Sequence, residues 1–158
     1  VIGGRRLVGQ LLGRRGGGAA GAGTDGEAEG GEPAKLVALV VDDSPIARML
    51  MASILESFEV DVFEASGSSE AVAMVAECRP DILIIDWTLR EETAADVLDA
   101  IEARAADALP PVVMVSASTK APVELRAAAT LRKPFTPREL YGALTDALSG
   151  KASGAAKA

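Results

Sequence analysis

"LVALVVDDSPIARMLMASILESF", residues 36–58, holds three signals in a row: a short, almost continuously apolar run, a pair of aspartates, and a capped amphipathic stretch. A run of six apolar residues with no polar alternation suits a strand covered on both faces, as in a parallel sheet. Ser44 offers a helix cap, Pro45 suits the first helical position, and the apolar residues that follow recur at helical spacing. Asp42 and Asp43 therefore stand where a buried strand hands over to a helix.

The same unit repeats outward. "VDVFEA" (60–65), "DILIID" (81–86), "VVMVS" (112–116) and "TLRK" (130–133) are the further strand candidates. "SSEAVAMVAEC" (68–78) reads as a second helix ended by Arg79 and Pro80, and "AADVLDAIEARAA" (94–106) as a third, before Pro110 and Pro111. Thr136 and Pro137 open a last helix, "PRELYGALTDAL" (137–148). Strands alternating with helices imply right-handed crossovers and an α/β, doubly wound five-stranded parallel sheet.

Residues 1–35 are too rich in glycine and alanine to bury a core and read as a disordered arm. Within them "RRLVGQLLGRR" sets Leu7, Val8, Leu11 and Leu12 on one helical face, which Gly9 and Gly13 weaken. The folded domain is expected over 36–149 and a flexible tail over 150–158. The whole chain, 158 residues and 49% hydrophobic, is enough for one such domain.

A net charge of −7 disfavours nonspecific attraction to nucleic acid or anionic lipid. Cys78 is the only cysteine, so no intramolecular disulfide can form, and it reads as a small buried hydrophobe in a reducing compartment. No run reaches the ~20 apolar residues of a membrane span, so a soluble, cytoplasmic protein is expected. The chain has no histidine. Histidine bases, histidine nucleophiles and histidine-bearing metal sites are thereby excluded, and any chemistry falls to carboxylates, hydroxyls and lysine.

Ligands of open parallel sheets gather at the carboxyl ends of the strands. The first strand ends in Asp42 and Asp43, the third in Asp86, the fourth in Ser116 and the fifth in Lys133. The second ends in no reactive group, as an edge strand remote from a site would. Three neighbouring carboxylates raise one another's pKa unless a cation intervenes. Mg²⁺ fits such a hard oxygen set, with Asp43 and Asp86 binding directly and Asp42 through a water. With Mg²⁺ and the Lys133 ammonium holding phosphoryl oxygens, Asp86 can attack phosphorus as a nucleophile.

Taken together, "VVDDS", "LIIDW", "MVSAS" and "RKPF" resemble the receiver domain of two-component response regulators over residues 36–149. The resemblance implies strand order 2-1-3-4-5, Asp42 and Asp43 as the acidic metal pair, and Asp86 as phosphoacceptor. It also implies Ser116 as switch hydroxyl, Lys133 as phosphate ligand before a cis Pro134, and the Thr88 backbone carbonyl as a further metal ligand. The phosphoryl donor would be a sensor histidine kinase or a histidine phosphotransfer protein. With no ATP-binding motif and no DNA-binding domain following, the chain reads as a single-domain regulatory phosphoacceptor and not an enzyme, whose output is a contact with a downstream protein.

Three departures stand out. Arg90 occupies a position where the family usually has proline, and Ala94 one where it has glycine. The stretch between Ser116 and Lys133 is short, which predicts a stunted or irregular fourth helix in 117–130. Thr130 stands where an aromatic is usual, which predicts a signal carried more by backbone rearrangement of 117–130 than by an aromatic rotamer. Two other readings compete: a protein-binding receiver whose site is vestigial, and an aspartyl phosphatase of the haloacid dehalogenase type. The latter wants an aspartate two residues after its nucleophile, where Thr88 stands, and a different motif order.

Overall fold

The computed structural model describes residues 34–104, 109–118 and 126–150. The arm up to residue 33, the tail from residue 151 and the core of the shortened crossover, 119–125, lie outside the described residues.

Five parallel strands form one sheet: β1 (Val37–Val41), β2 (Asp61–Ala65), β3 (Ile82–Asp86), β4 (Val112–Ser116) and β5 (Ala129–Arg132), in the order β2-β1-β3-β4-β5. The expected doubly wound fold and strand order are therefore present, and β2 is an edge strand. Among the described residues the helices are α1 (Pro45–Ser57), α2 (Ser68–Cys78), α3 (Ala94–Glu102) and α4 (Pro137–Leu148).

The period-two geometry of a strand sorts each apolar run into two cores. Ala38, Val40, Ile82, Ile84, Val113 and Val115 face Met51 and Leu55 of α1 and Leu140 and Leu144 of α4. Leu39, Val41, Leu83, Ile85 and Met114 face α3 through Val97, Leu98 and Ile101, with Ala71 of α2 in the same cluster. Burying each Leu or Ile contributes ~1.5–3 kcal/mol, so strands without polar alternation are what this two-sided sheet requires. Cys78 belongs to that buried set, its thiol donating to the Met74 carbonyl at 2.8 Å. Burial pushes the thiol up to about 12, which keeps it protonated and unreactive.

Helix ends follow their caps. Ser44 Oγ accepts from Ala47 N at 3.3 Å with Pro45 in the first turn, and Thr136 with Glu139 closes a capping box at α4. Thr93 and Asp96 form a second capping box at α3, whose Thr-x-x-Asp spacing was legible in the sequence but was not read there. α3 is shorter than its sequence suggests. The helix closes at Glu102, with the Arg104 amide turned back to the Ile101 carbonyl at 3.1 Å, and residues 105 and 106 of the expected helix lie outside the described residues. Thr93→Ala is expected to cost about 1 kcal/mol in urea denaturation, and Thr93→Ser to cost far less, because serine keeps the capping oxygen. Equal losses in both would show that the cap does not hold α3.

Candidate functional site

The carboxyl ends of β1, β3, β4 and β5 converge, and register sets them level: Val41 pairs with Ile85, Asp86 with Val115 and Ser116 with Arg132. One residue past β1, Asp42 continues the ladder by donating its N–H to the Ala65 carbonyl at 3.2 Å. Its side chain is 1% exposed, with Oδ1 accepting from the Ser44 amide at 2.8 Å. One residue past β5, Lys133 donates its own N–H to the Ser116 carbonyl at 2.9 Å. The Lys133–Pro134 peptide is cis, as the resemblance implied, and Phe135 beyond it packs on the α1/α4 core.

From there the Lys133 ammonium donates to Asp42 Oδ2 at 3.0 Å and to Asp86 Oδ2 at 2.9 Å. Asp86 Oδ1 accepts the Thr88 amide at 3.3 Å. Burial raises the Asp86 carboxyl above its ordinary range, with Asp42 adding to the rise, and the hydrogen bond and charge of Lys133 only partly oppose it. For Lys133 the balance runs the other way. Burial pulls the ammonium down, but its bonds to Asp86 and Asp42 outweigh that and hold it above its usual value. The site thus keeps a firm cation beside a carboxylate that one lysine does not fully compensate.

Asp43 lies at the same mouth, and one carboxylate oxygen from each of Asp42, Asp43 and Asp86 falls within 4.8 Å of the others. An all-oxygen, all-anionic donor set opening to water fits Mg²⁺, which accepts one or two carboxylates and keeps waters for its remaining positions. Asp43 and Asp86, the two carboxylates not fully buried, are the ones that could bind such an ion directly. Thr88, exposed at the head of the β3–α3 loop, would contribute a backbone carbonyl.

Ser116 ends β4 almost fully buried. Its hydroxyl engages the following loop instead of the carboxylates, donating to the Ser118 carbonyl at 3.2 Å and accepting the Ser118 amide at 3.0 Å. Thr130 is exposed on the outer strand, and Leu131 packs at the edge of the α1/α4 core.

Two arginines that the sequence reading gave no role in the site touch its aspartates. Arg48 of α1 donates through Nη1 to the Asp42 carbonyl at 2.5 Å and through Nε to Glu64 of β2 at 3.1 Å, tying the acidic turn to the edge strand. Arg90 lies 3.8 Å from Asp43 Oδ2. Spacing gave no signal for either, because the settling of helix and loop decides where each guanidinium reaches.

A doubly wound sheet with an acidic triad, a hydroxyl and a lysine at its strand ends defines an α/β domain of the flavodoxin-like type. The chain matches the response regulator receiver domain over residues 38–145 and belongs to that family. Among its curated relatives, the phosphate regulon transcriptional regulatory protein PhoB of Pseudomonas aeruginosa is 27% identical over 111 residues, 67% of this chain and 48% of that protein. The DNA-binding response regulator MtrA of Mycolicibacterium smegmatis is 32% identical over 107 residues, 65% of this chain and 46% of that protein. The chain thus spans about half the length of these relatives. The structure of the chemotaxis response regulator CheY4 of Vibrio cholerae superposes with a TM-score of 0.67 at 26% identity, covering 73% of this chain and all of that one. Among the described residues no helix is long and apolar enough to cross a membrane.

Proposed function

We propose that the chain is a phosphorylation-dependent switch, a Mg²⁺-requiring phosphoacceptor that takes its phosphoryl group on Asp86 from a phosphohistidine of a sensor kinase or phosphotransfer protein. The observation that carries this reading is the Lys133 ammonium bridging Asp42 and Asp86. An Asp86 carboxylate oxygen forms a bond to phosphorus as the donor's N–P bond breaks, and the electron pair leaves on the imidazole nitrogen, which takes up a proton. Lys133 pairs with a phosphoryl oxygen in place of Asp86 Oδ2. Mg²⁺, when bound, would be held by Asp43 and Asp86 and would supply charge neutralisation for the transferred group. Water attack at phosphorus later releases phosphate and restores the carboxylate, so the chain turns over only its own modification.

Ser116 reports the change. To reach a phosphoryl oxygen its hydroxyl gives up the bond it donates to the Ser118 carbonyl, which removes one tie between the end of β4 and the residues after it. The donor approaches over α1, where Ile46, Met49 and Leu50 are exposed and a groove of about 530 Å³ runs between Leu50, Ile54, Pro134 and Phe135 to Lys133. An apolar helical face on a donor protein would fill this groove and set its phosphohistidine over Asp86. Output is a contact with a downstream protein.

Trp87, the only tryptophan, adjoins Asp86 and packs at the edge of the α2/α3 core. Its fluorescence is expected to change with Mg²⁺ and again with a small-molecule phosphodonor or beryllofluoride, while intact mass gains one phosphoryl adduct. Absence of any adduct with competent donors and Mg²⁺ would leave a vestigial, purely protein-binding receiver. Sustained hydrolysis of phosphate esters would indicate a phosphatase.

A further inference from the structure

The β3–α3 loop is held closed on three sides. Thr88 and Thr93 form an antiparallel bridge, the Leu89 amide donates to the Glu92 carbonyl at 3.1 Å, and the Ala94 amide donates to the Trp87 carbonyl at 3.1 Å. Leu89 is buried beneath the loop, and the Glu92 carboxylate accepts the Ser68 amide at 2.6 Å, fastening the loop to the start of α2. Gly67, the residue before Ser68, lacks a side chain where this happens: a Cβ there would meet Glu92 Oε1 at 2.5 Å. Arg90 and Glu91 are left at the tip of a loop whose backbone is fixed. From that tip the guanidinium lies 3.8 Å from Asp43 Oδ2.

Lys133 bonds to Asp42 and Asp86, and Arg90 faces the third carboxylate, Asp43. Two cations thus meet three aspartates before any metal arrives. We propose that Arg90 is a specificity-determining residue that competes with the divalent cation for Asp43, so that it sets the Mg²⁺ concentration at which the site fills. The inference rests on the metal-dependent reading above and adds what regulates the same site. A divalent ion on Asp43 Oδ2 displaces the guanidinium, and one on Oδ1 still meets its charge across the same carboxylate. Arg90 has a side chain 81% exposed and can swing into water, so the displacement is easy and the competition mild. A neutral residue at this position would leave Asp43 open to metal at all times.

The test is Mg²⁺ binding to the full chain by isothermal titration calorimetry, with no phosphodonor present. Arg90→Ala is expected to bind Mg²⁺ about two- to fivefold more tightly than wild type, the span of an exposed ion pair. Arg90→Lys keeps a cation at the tip and should stay close to wild type. Arg104→Ala is the charge control, because it removes one positive charge at the far end of α3, about 13 Å of helix from the loop. It should leave the affinity unchanged. Equal affinities for wild type and Arg90→Ala, or the same gain in Arg104→Ala, would overturn the role of Arg90 while leaving the metal site intact. A wild type that takes up no more Mg²⁺ than Asp43→Asn would overturn the metal site itself and this proposal with it.

Discussion

Asp86→Asn is expected to abolish the phosphoryl adduct entirely while leaving the fold intact. Asp86 is the partly open carboxylate that Lys133 holds, whereas Asp42, its other partner, is 1% exposed, and an amide oxygen in place of the Asp86 carboxylate is too weak a nucleophile to replace it. The same substitution has a second readout with the opposite sign. Burial lifts the Asp86 carboxyl above its ordinary value of 3.8. The folded chain therefore holds that proton more tightly than the unfolded one, and stability falls as pH rises from about 3.8 through the elevated folded value. At neutral pH the full cost of the ionised carboxylate is present. An asparagine removes it, so metal-free Asp86→Asn should melt at a higher temperature than wild type near pH 7 and lose that advantage in acid. A variant that still takes one phosphoryl group would move the acceptor elsewhere. One that melts lower at neutral pH would show that the bond to Lys133 outweighs burial.

Lys133→Met should have the second-largest effect. Methionine matches the aliphatic stem, so the substitution removes charge with little change in packing, and the carboxylates of Asp42, 1% exposed, and Asp86 lose the ammonium that bridges them. Breaking a fully buried pair from one side costs ~3–5 kcal/mol; here Lys133 and Asp86 open partly to water, which brings the expected loss to about 1–3 kcal/mol at neutral pH. Acid should narrow the gap, because protons neutralise the carboxylates that lysine no longer holds. The folded Lys133 pKa lies above 10.5, so its contribution in wild type is complete below that value and is lost as pH rises through the folded pKa. Wild type should thus approach the variant again in strong alkali. Phosphoryl transfer from a small-molecule donor should slow by at least tenfold, towards the ~10²–10³ typical of losing one preorganised donor to a developing charge. Urea denaturation across pH and the rate of adduct formation check both claims, and a wild-type rate would remove Lys133 from the transfer step.

The residues that bear on chemistry were legible because each stands at the end of a strand, and β1, β3 and β4 are buried almost along their whole length. Once "LVALVV", "DILIID" and "VVMVS" are read as parallel strands, Asp42, Asp86 and Ser116 can only come together at one edge of the sheet. Pro134 and Phe135 extended the same logic to Lys133. Contacts made by long side chains were not legible. Arg48 reaches a backbone carbonyl six residues back and a carboxylate on another strand, and Glu92 reaches an amide at the start of α2. Neither follows from periodicity, because both depend on how loops and helices settle after the sheet has formed. The direction of the Ser116 hydroxyl was beyond the sequence for the same reason: the turn at Ser118 supplies both of its partners. The end of α3 was not legible because an alanine-rich stretch favours a helix on propensity alone, and nothing in it marks Glu102 as the last helical residue.

The buried thiol at the end of α2 makes the chain its own stopwatch. With one cysteine in 158 residues, shut away and protonated, a thiol reagent can react only when that helix opens. Its labelling rate counts those openings directly. Because α2 begins on the carboxylate of Glu92, whose loop starts beside Asp86, the count taken with and without beryllofluoride measures how far an event at the aspartate loosens or tightens a helix on the sheet's other flank.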